Sequence, residues 1–517
     1  MEISDFLTIL GIALAVWALI PNKERRFILL FFSKYEILLI FIALLFIHIL
    51  MSFEWIISHW TNRLSIFVTK YGIPSTTWAY IISIITISYP IIKVTYTYFS
   101  RSKVNELIDL YISLLKENEL DILTNYIQKY HIDDIRIYLI GKSKLQQKDA
   151  VSIVLRRTTE SDLEYKELIK PKRIFFAQFV YGYILQNEIF IKNAANKYPE
   201  LFAEAIKGIR SVKAANPDFV NLYIQLIFEN QNQSFIDELK ILNESYDSVQ
   251  ERTKYFNIPI CEALFVNTEA SYKNNIWYSI GENTIKALKY DIQQKEFLLK
   301  SYDSIIEGEL WNYKIKISIV YFNYMIRETI YRDSGYHMWL YYFKNYVEEL
   351  ISIISYPNSL DHEKSYPTFA HFILNELFET MRGWIELSVE QKNDWRVIDT
   401  IRCLGNCLDS LVNSDNNKIS EKHKIEQFDN VISLYFDLEN DNNNSGAKTS
   451  REWIEKLFLN LKTPDNAPND IFADDQYKNI IKQAWKSFDK IPYKGSKNDG
   501  STDRFTERVL NKLNIDI

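Results

Sequence analysis

The tripeptide Gly141-Lys142-Ser143 follows an apolar run, where a phosphate-binding loop would sit. Such a loop needs a second glycine five positions earlier so that backbone N–H groups can close around phosphate. Position 136 is Arg, so the tripeptide reads as a surface turn. Asp149 with Glu164 and Lys166 has the loose form of a Mg²⁺-dependent nuclease core, which requires its acids on paired strands, but ESDLEYKELIK is patterned as a helix. Cys403 and Cys407 stand one helical turn apart in CLGNC. Tetrahedral zinc wants four ligands, and the nearest histidine, His423, lies beyond a polar stretch, so two buried thiols facing a core are expected. His362 and His371 bracket DHEKSYPTFAH ahead of Glu376 and Glu379, with no pair at the i, i+4 spacing of a helical metal site; they read as cap and surface residues. GxGxxG, HExxH and GxSxG are absent from the sequence. No metal or cofactor is expected.

In YRDSGYHMW, Arg332, Asp333 and His337 match the R-(polar)-x₃-H pattern and so resemble the HEPN ribonuclease family. The resemblance covers six residues. It implies an all-α fold and a metal-independent site shared by two subunits, in which Arg steadies phosphate charge and His transfers the 2′-hydroxyl proton. Gly335 interrupts the helix that pattern expects. The competing reading is a helix–helix turn, with Asp333 capping a helix that begins near Gly335.

A different pattern lies near the N-terminus. Phe6–Ile20 is apolar all round, preceded by Glu2 and Asp5 and followed by Lys23, Arg25 and Arg26. A signal peptide has the opposite polarity and a small-residue cleavage site, so the run reads as an uncleaved anchor, extended by Ile3 and Ser4. Two further apolar segments give expected spans of about 3–20, 37–57 and 76–98. Basic residues (Lys23, Arg25, Arg26 and Lys34; Lys93, Arg101 and Lys103) flank the side that also carries the long C-terminal region. The expectation is N-terminus out and the bulk of the chain in the cytoplasm. Trp55, Trp60 and Trp78 then mark the outer interface, and Tyr89, Tyr96 and Tyr98 the inner one.

Within the third span Ser83, Thr86, Pro90, Lys93 and Thr97 fall on one helical face, and His48 of the second span is placed near mid-bilayer. Ionisable groups at that depth face protein or water. Two readings compete: a three-helix bundle whose polar groups satisfy one another, or an oligomer whose polar face lines a pore. Gly11 and Ala15 in the first span allow close helix approach.

Beyond residue 100 the apolar spacing is helical. Val104, Leu107, Ile108, Tyr111, Leu114 and Leu115 make one face, expected to run on directly from the third span. Asn216 and Pro217 open another helix with Phe219, Tyr223, Leu226 and Ile227 inward. Tyr198–Ile209 is a third. Short helices with brief connections recur through the cytoplasmic domain, 101–437, as stacked, solenoid-like hairpins. Ile135–Ile140 and Val151–Leu155 are the one candidate β-hairpin. Leu438–Ser450 reads as a linker and 451–517 as a C-terminal helical segment.

The chain is thus expected to be mostly α. Three cysteines in 517 residues cannot make a disulfide framework. The first 100 residues hold 7 of the 60 Lys plus Arg and 5 of the 66 Asp plus Glu, which leaves 53 against 61, a net −8. A mildly acidic domain is not built to coat nucleic acid. The expected partners are the lipid bilayer and either a second copy or another protein on the cytoplasmic side. The Ile, Lys, Asn and Tyr bias suits an AT-rich bacterial genome, hence a bacterial inner membrane. The expected role is an anchored sensor or scaffold. Its sharper version is a membrane-perturbing effector of abortive anti-phage defence, and its enzymatic alternative is a ribonuclease on Arg332, Asp333 and His337.

Overall fold

The computed structural model describes chiefly residues 15–53, 74–96, 103–132, 187–201, 217–244, 258–302, 307–332, 339–354, 366–438, 445–462, 474–489 and 504–515, with a few short gaps inside these ranges and isolated residues such as Gly11, Ile12 and Phe99 outside them. The described chain is mostly helical, with no strand among the described residues. The expected β-hairpin lies outside them, except for Ile135, which is helical. Contacts divide the chain into two compact units, Met1–His131 with Lys170–Val180, and Ile132–Ile169 with Tyr181–Ile517.

The first unit contains α1 (Asn22–Leu29), α2 (Lys34–Met51), α3 (Ser75–Tyr96), α4 (Val104–Lys116) and α5 (Leu120–Tyr130). Among the described residues two helices, α2 and α3, are long and apolar enough to cross a membrane, rather than the expected three. The first expected span falls largely outside the described residues; Gly11, Ile12 and Ala15–Leu19 of it are helical. A second expectation is corrected. The α4 helix does not continue α3, because Phe99 between them belongs to no helix and is buried. An apolar ring there gains more from packing than from extending the helix into solvent.

The second unit runs from α6 (Glu188–Lys197), α7 (Pro217–Glu229), α8 (Gln233–Glu244), α9 (Pro259–Phe265) and α10 (Thr268–Lys273) to α11 (Ile276–Tyr290) and α12 (Ile292–Leu298). It continues through α13 (Lys314–Arg332), α14 (Leu340–Ile353), α15 (Phe369–Glu390), α16 (Asp394–Val412), α17 (Glu421–Asp437), α18 (Ser445–Leu459) and α19 (Asp475–Asp489). The α7 helix begins at Pro217, where a missing N–H costs nothing, and buries Tyr223, Leu226 and Ile227. Many helices pack on the next but one: α11 on α13, α13 on α15, α14 on α16, α16 on α18 and α17 on α19. The polar stretch 438–450 already contains the start of α18, and Ala447 and Ser450 are fully buried.

Buried polar groups in this unit are tied to backbone ends. Lys424 on α17 donates to the carbonyls of Val412 (3.1 Å) and Ser414 (2.6 Å) and to Asn416 Oδ1 (3.0 Å), which closes the C-terminus of α16. Burial lowers the Lys424 pKa, and Asp415 and Glu421 oppose that shift. Glu455 on α18 accepts from Tyr435 (2.8 Å) and Arg508 (3.1 Å) and pairs with Arg504 (3.3 Å), anchoring the C-terminal turn Thr506–Leu510.

Close approach of a backbone carbonyl fixes Gly405. A Cβ on Gly405 would lie 2.7 Å from the carbonyl oxygen of Leu461 and 3.0 Å from Leu457 Cδ1. Replacing it with alanine improves helix propensity by about 1 kcal/mol but forces a backbone apart at an overpacking cost of about 1–3 kcal/mol. Gly405→Ala is therefore expected to lower the midpoint of chemical unfolding, followed by far-UV ellipticity on the full chain in detergent.

Candidate functional site

Charged residues of the α2–α3 hairpin meet at one end. Ser33 caps α2: its Oγ accepts from the Glu36 backbone N–H at 3.3 Å, and the Glu36 carboxylate accepts from the Ser33 N–H at 2.7 Å. This reciprocal box satisfies two donors that a helix start leaves orphaned. The other Glu36 oxygen accepts from the Tyr89 hydroxyl at 2.8 Å and from the Lys93 ammonium, both on α3. One carboxylate thus joins the start of α2 to the end of α3.

The same register continues up the pair. Ile47 and Met51 of α2 pack with Ala79 of α3, flanked by Leu44, Leu50 and Ile82. Residue numbers facing each other sum to nearly the same value along the contact, so the helices run antiparallel. Ala79, Ser83 and Thr86 are buried, and Pro90 and Lys93 are partly buried on the same face. Ser83 donates to its own helix at the Ala79 carbonyl, 2.7 Å away. The polar face read from the sequence is therefore turned toward α2. Thr97 lies outside the described residues. His48 is exposed and does not join that face.

Below the clasp an aromatic joint gathers the two chain segments that enter and leave the hairpin. Phe27 lies flat on Tyr126, with centroids 3.8 Å apart and planes within 8°. Phe99 contacts Phe27 (5.3 Å) and Phe31 (4.5 Å) and stacks on His131 (5.3 Å). The Tyr111 hydroxyl lies 2.7 Å from His131 Nε2, and burial raises the Tyr111 pKa. Lys23 on α1 is paired with Glu117 and Glu119 in the α4–α5 turn. Segments 22–32 and 99–131 therefore lie together within this unit.

The other sites are distributed differently. Arg332 ends α13 and holds Glu328, one turn earlier and buried, at 2.8 Å. Asp333 and His337 lie outside the described residues, as do Gly141–Ser143, Asp149, Glu164, Lys166 and His362. Cys403 and Cys407 are buried on α16, where Cys403 Sγ donates to the Leu340 carbonyl at 3.2 Å and Cys407 Sγ lies 3.9 Å from Met381 Sδ. Burial raises the Cys407 thiol pKa well above its ordinary value. His371 is not at the surface as expected. It is fully buried on α15, 2.8 Å from Thr368 Oγ1 and edge-on to His423 at 5.8 Å. No group of three or more His, Cys, Asp or Glu able to hold a metal ion occurs among the described residues. Gly11 and Ala15 are exposed, and a Cβ on Gly11 would meet nothing within 4 Å.

Sequence reasoning missed Glu36 and the aromatic joint. Ser33-x-x-Glu36 was a readable capping box immediately ahead of an apolar run. Phe27 and Phe31 were a readable i, i+4 pair.

One buried carboxyl in the second unit titrates far from its usual range. Glu238 on α8 accepts from the N–H groups of Cys261 (2.7 Å) and Ile260 (3.3 Å) at the start of α9. Burial pushes its pKa up to about 7; the two N–H groups oppose the shift, and Glu200 adds to it.

Two expectations follow from these contacts. Lys93→Met and Glu36→Gln should each destabilise the folded hairpin by about 1–3 kcal/mol, because each strands a desolvated partner. The double variant should cost less than the sum of the two, as read from unfolding titrations in mixed micelles. For Glu238, the folded carboxyl keeps its proton to a higher pH than the unfolded one. Wild-type stability should therefore fall by on the order of 2 kcal/mol relative to Glu238→Gln as pH rises from about 4.5 to about 7. Paired urea titrations across that window read the difference.

No family model, curated protein or solved structure matches this chain.

Proposed function

We propose that this chain is a membrane-anchored helical sensor or scaffold that acts by binding protein. Its long C-terminal region lies at the cytoplasmic face of a bacterial inner membrane. The observation that carries the reading is the inside-out surface of the α2–α3 pair. Only 11% and 17% of their apolar windows are buried, and Leu39, Phe41, Ile85 and Ile91 are each exposed by more than 60%. The core helix of a soluble protein buries such side chains, and an apolar surface of this size in water drives association. Lipid accepts it without cost, while the charged groups are drawn together at one end.

The topology follows from the basic residues and the packing. Lys23, Arg25 and Arg26 before α2, Lys34 at its start, and Lys93 and Lys103 near and after the end of α3 share one end of the hairpin, which the positive-inside rule assigns to the cytoplasm. The helices after residue 217 carry many brief connections and exposed polar faces, suited to stacked hairpins that present a surface to a partner.

The other two readings have less support. A pore needs the polar face of α3 free to meet water, and that face is turned toward α2. A ribonuclease needs Arg332 aimed at phosphate, and Arg332 is engaged by Glu328 in its own helix.

The test is induction of the full chain in a bacterium, followed by carbonate extraction, a voltage-sensitive dye and total RNA. The expected outcome is retention in the extracted membrane with the potential and the RNA unchanged. Depolarisation abolished by Lys93→Leu would replace the scaffold with a pore. RNA cleavage abolished by Arg332→Ala would replace it with a nuclease.

A further inference from the structure

In the second unit α15 packs on α17, and the charge on α15 is mostly negative. This helix carries Glu376, Glu379, Glu386 and Glu390, with Arg382 as its one Arg or Lys. Arg382 is already met twice: its Nε donates to Glu386 at 2.9 Å and its Nη2 to Asp437, at the end of α17, at 2.8 Å. Beside it, between α15 and α17 and over Leu404 of α16, is a pocket of about 10 Å³ whose wall includes Phe378, Val431, Glu379, Asn430 and Gln427. That is room for one group the size of a water molecule. Gln427 is only 2% exposed. Its Nε2 donates to Asn375 Oδ1 at 2.9 Å, and its Oε1 has no hydrogen-bond partner among the described residues. Asn430 Nδ2 donates to Glu379 Oε1 at 3.2 Å, which leaves Glu379 Oε2 and Asn430 Oδ1 as further acceptors at the same pocket.

A buried amide oxygen without a donor costs free energy, and a donor brought to it recovers that cost. All three available atoms are acceptors and the charge around them is negative, so the matching occupant is a compact cation that carries several N–H groups. We infer that this pocket receives the ε-ammonium of a lysine from a partner protein. An ammonium is a point charge with three donors, one each for Gln427 Oε1, Glu379 Oε2 and Asn430 Oδ1. Water brings two donors and no charge. A guanidinium is a planar fork, too wide for a space of this volume. The methylene stem of a lysine packs on apolar surface while its head makes polar contacts, and Phe378 and Val431 supply such surface here. The excess of carboxylates on α15 attracts a segment with several basic side chains more strongly than it attracts a single free amine.

This inference rests on the reading of the chain as a protein binder, and its test lets the two fail separately. Fluorescein-labelled hexalysine is titrated against the full chain in detergent at low salt, with anisotropy as the readout. The expected result is saturable binding, tighter than that of hexaarginine with the same charge. Glu379→Gln, a change at an exposed position, should weaken hexalysine binding about 5-fold. Glu390→Gln removes the same charge from the far end of the same helix and should change it by less than about 2-fold. Gln427→Met keeps the length of the side chain and should weaken binding roughly 10-fold. If that variant does not fold, as read from far-UV ellipticity, the comparison of Glu379→Gln with Glu390→Gln decides alone. No binding, equal affinity for hexaarginine, or equal effects of the two glutamate changes overturns the site and leaves the protein-binding reading standing. Binding of n-butylammonium as tight as that of the peptide overturns the partner lysine and takes the protein-binding reading at this surface with it.

Discussion

A charge flanked by apolar surface has to be neutralised where it stands, and the first unit is arranged around Glu36. Glu36 stands at the start of a helix that is apolar from Ile37 to Ile47. It lies where the helix N-terminus adds positive potential, two orphaned donors need acceptors, and the opposite helix brings Lys93 and Tyr89. Each of these alone is modest. Together they specify which end of α3 meets which end of α2, and so fix the register that places Ala79 against Ile47 and Met51. A slip of one turn would strand both charges and separate the small residue from the large ones it accommodates. The aromatic joint below the clasp then acts on segments that already lie side by side, through stacked and edge-on contacts such as Phe27 on Tyr126 and Phe31 on Phe99.

The second unit is organised differently. Its cores are rings and branched aliphatics, and its buried polar groups are the exceptions to be satisfied. Lys424 completes the carbonyl end of α16, Glu238 completes the N–H end of α9, and Glu455 gathers Tyr435, Arg504 and Arg508. In each case a side chain from one helix closes the backbone or the charge of another. Helices linked in this way are placed as well as packed. Gly405, which lets a carbonyl approach where any Cβ would collide, serves the same end sterically.

The sequence made some of this legible and hid the rest for identifiable reasons. Spacing of apolar residues is a property of one segment, so the faces of α4 and α7, the start at Pro217 and the cysteine pair on α16 could all be read locally. The polar face of α3 was equally readable as a face. What it looks at was not, because that depends on α2, and periodicity says nothing about the neighbour. The same limit explains His371, whose surroundings on α15 are set by α17 and a loop rather than by the residues beside it in sequence. The run-on of α3 into α4 failed for a related reason. Both segments are helical by pattern, and the break at Phe99 is decided by the rings of Phe27, Phe31 and His131 waiting for it.

Among the described residues, two buried histidines are answered from within the protein. His131 and His371 lie in protein, where Tyr111 and Thr368 stand within hydrogen-bond distance, and they behave as core residues that happen to be polar. His48 on α2 is exposed, so nothing in its described surroundings constrains it in the same way. Burial, rather than residue type, decides which of these histidines must be answered from within the protein.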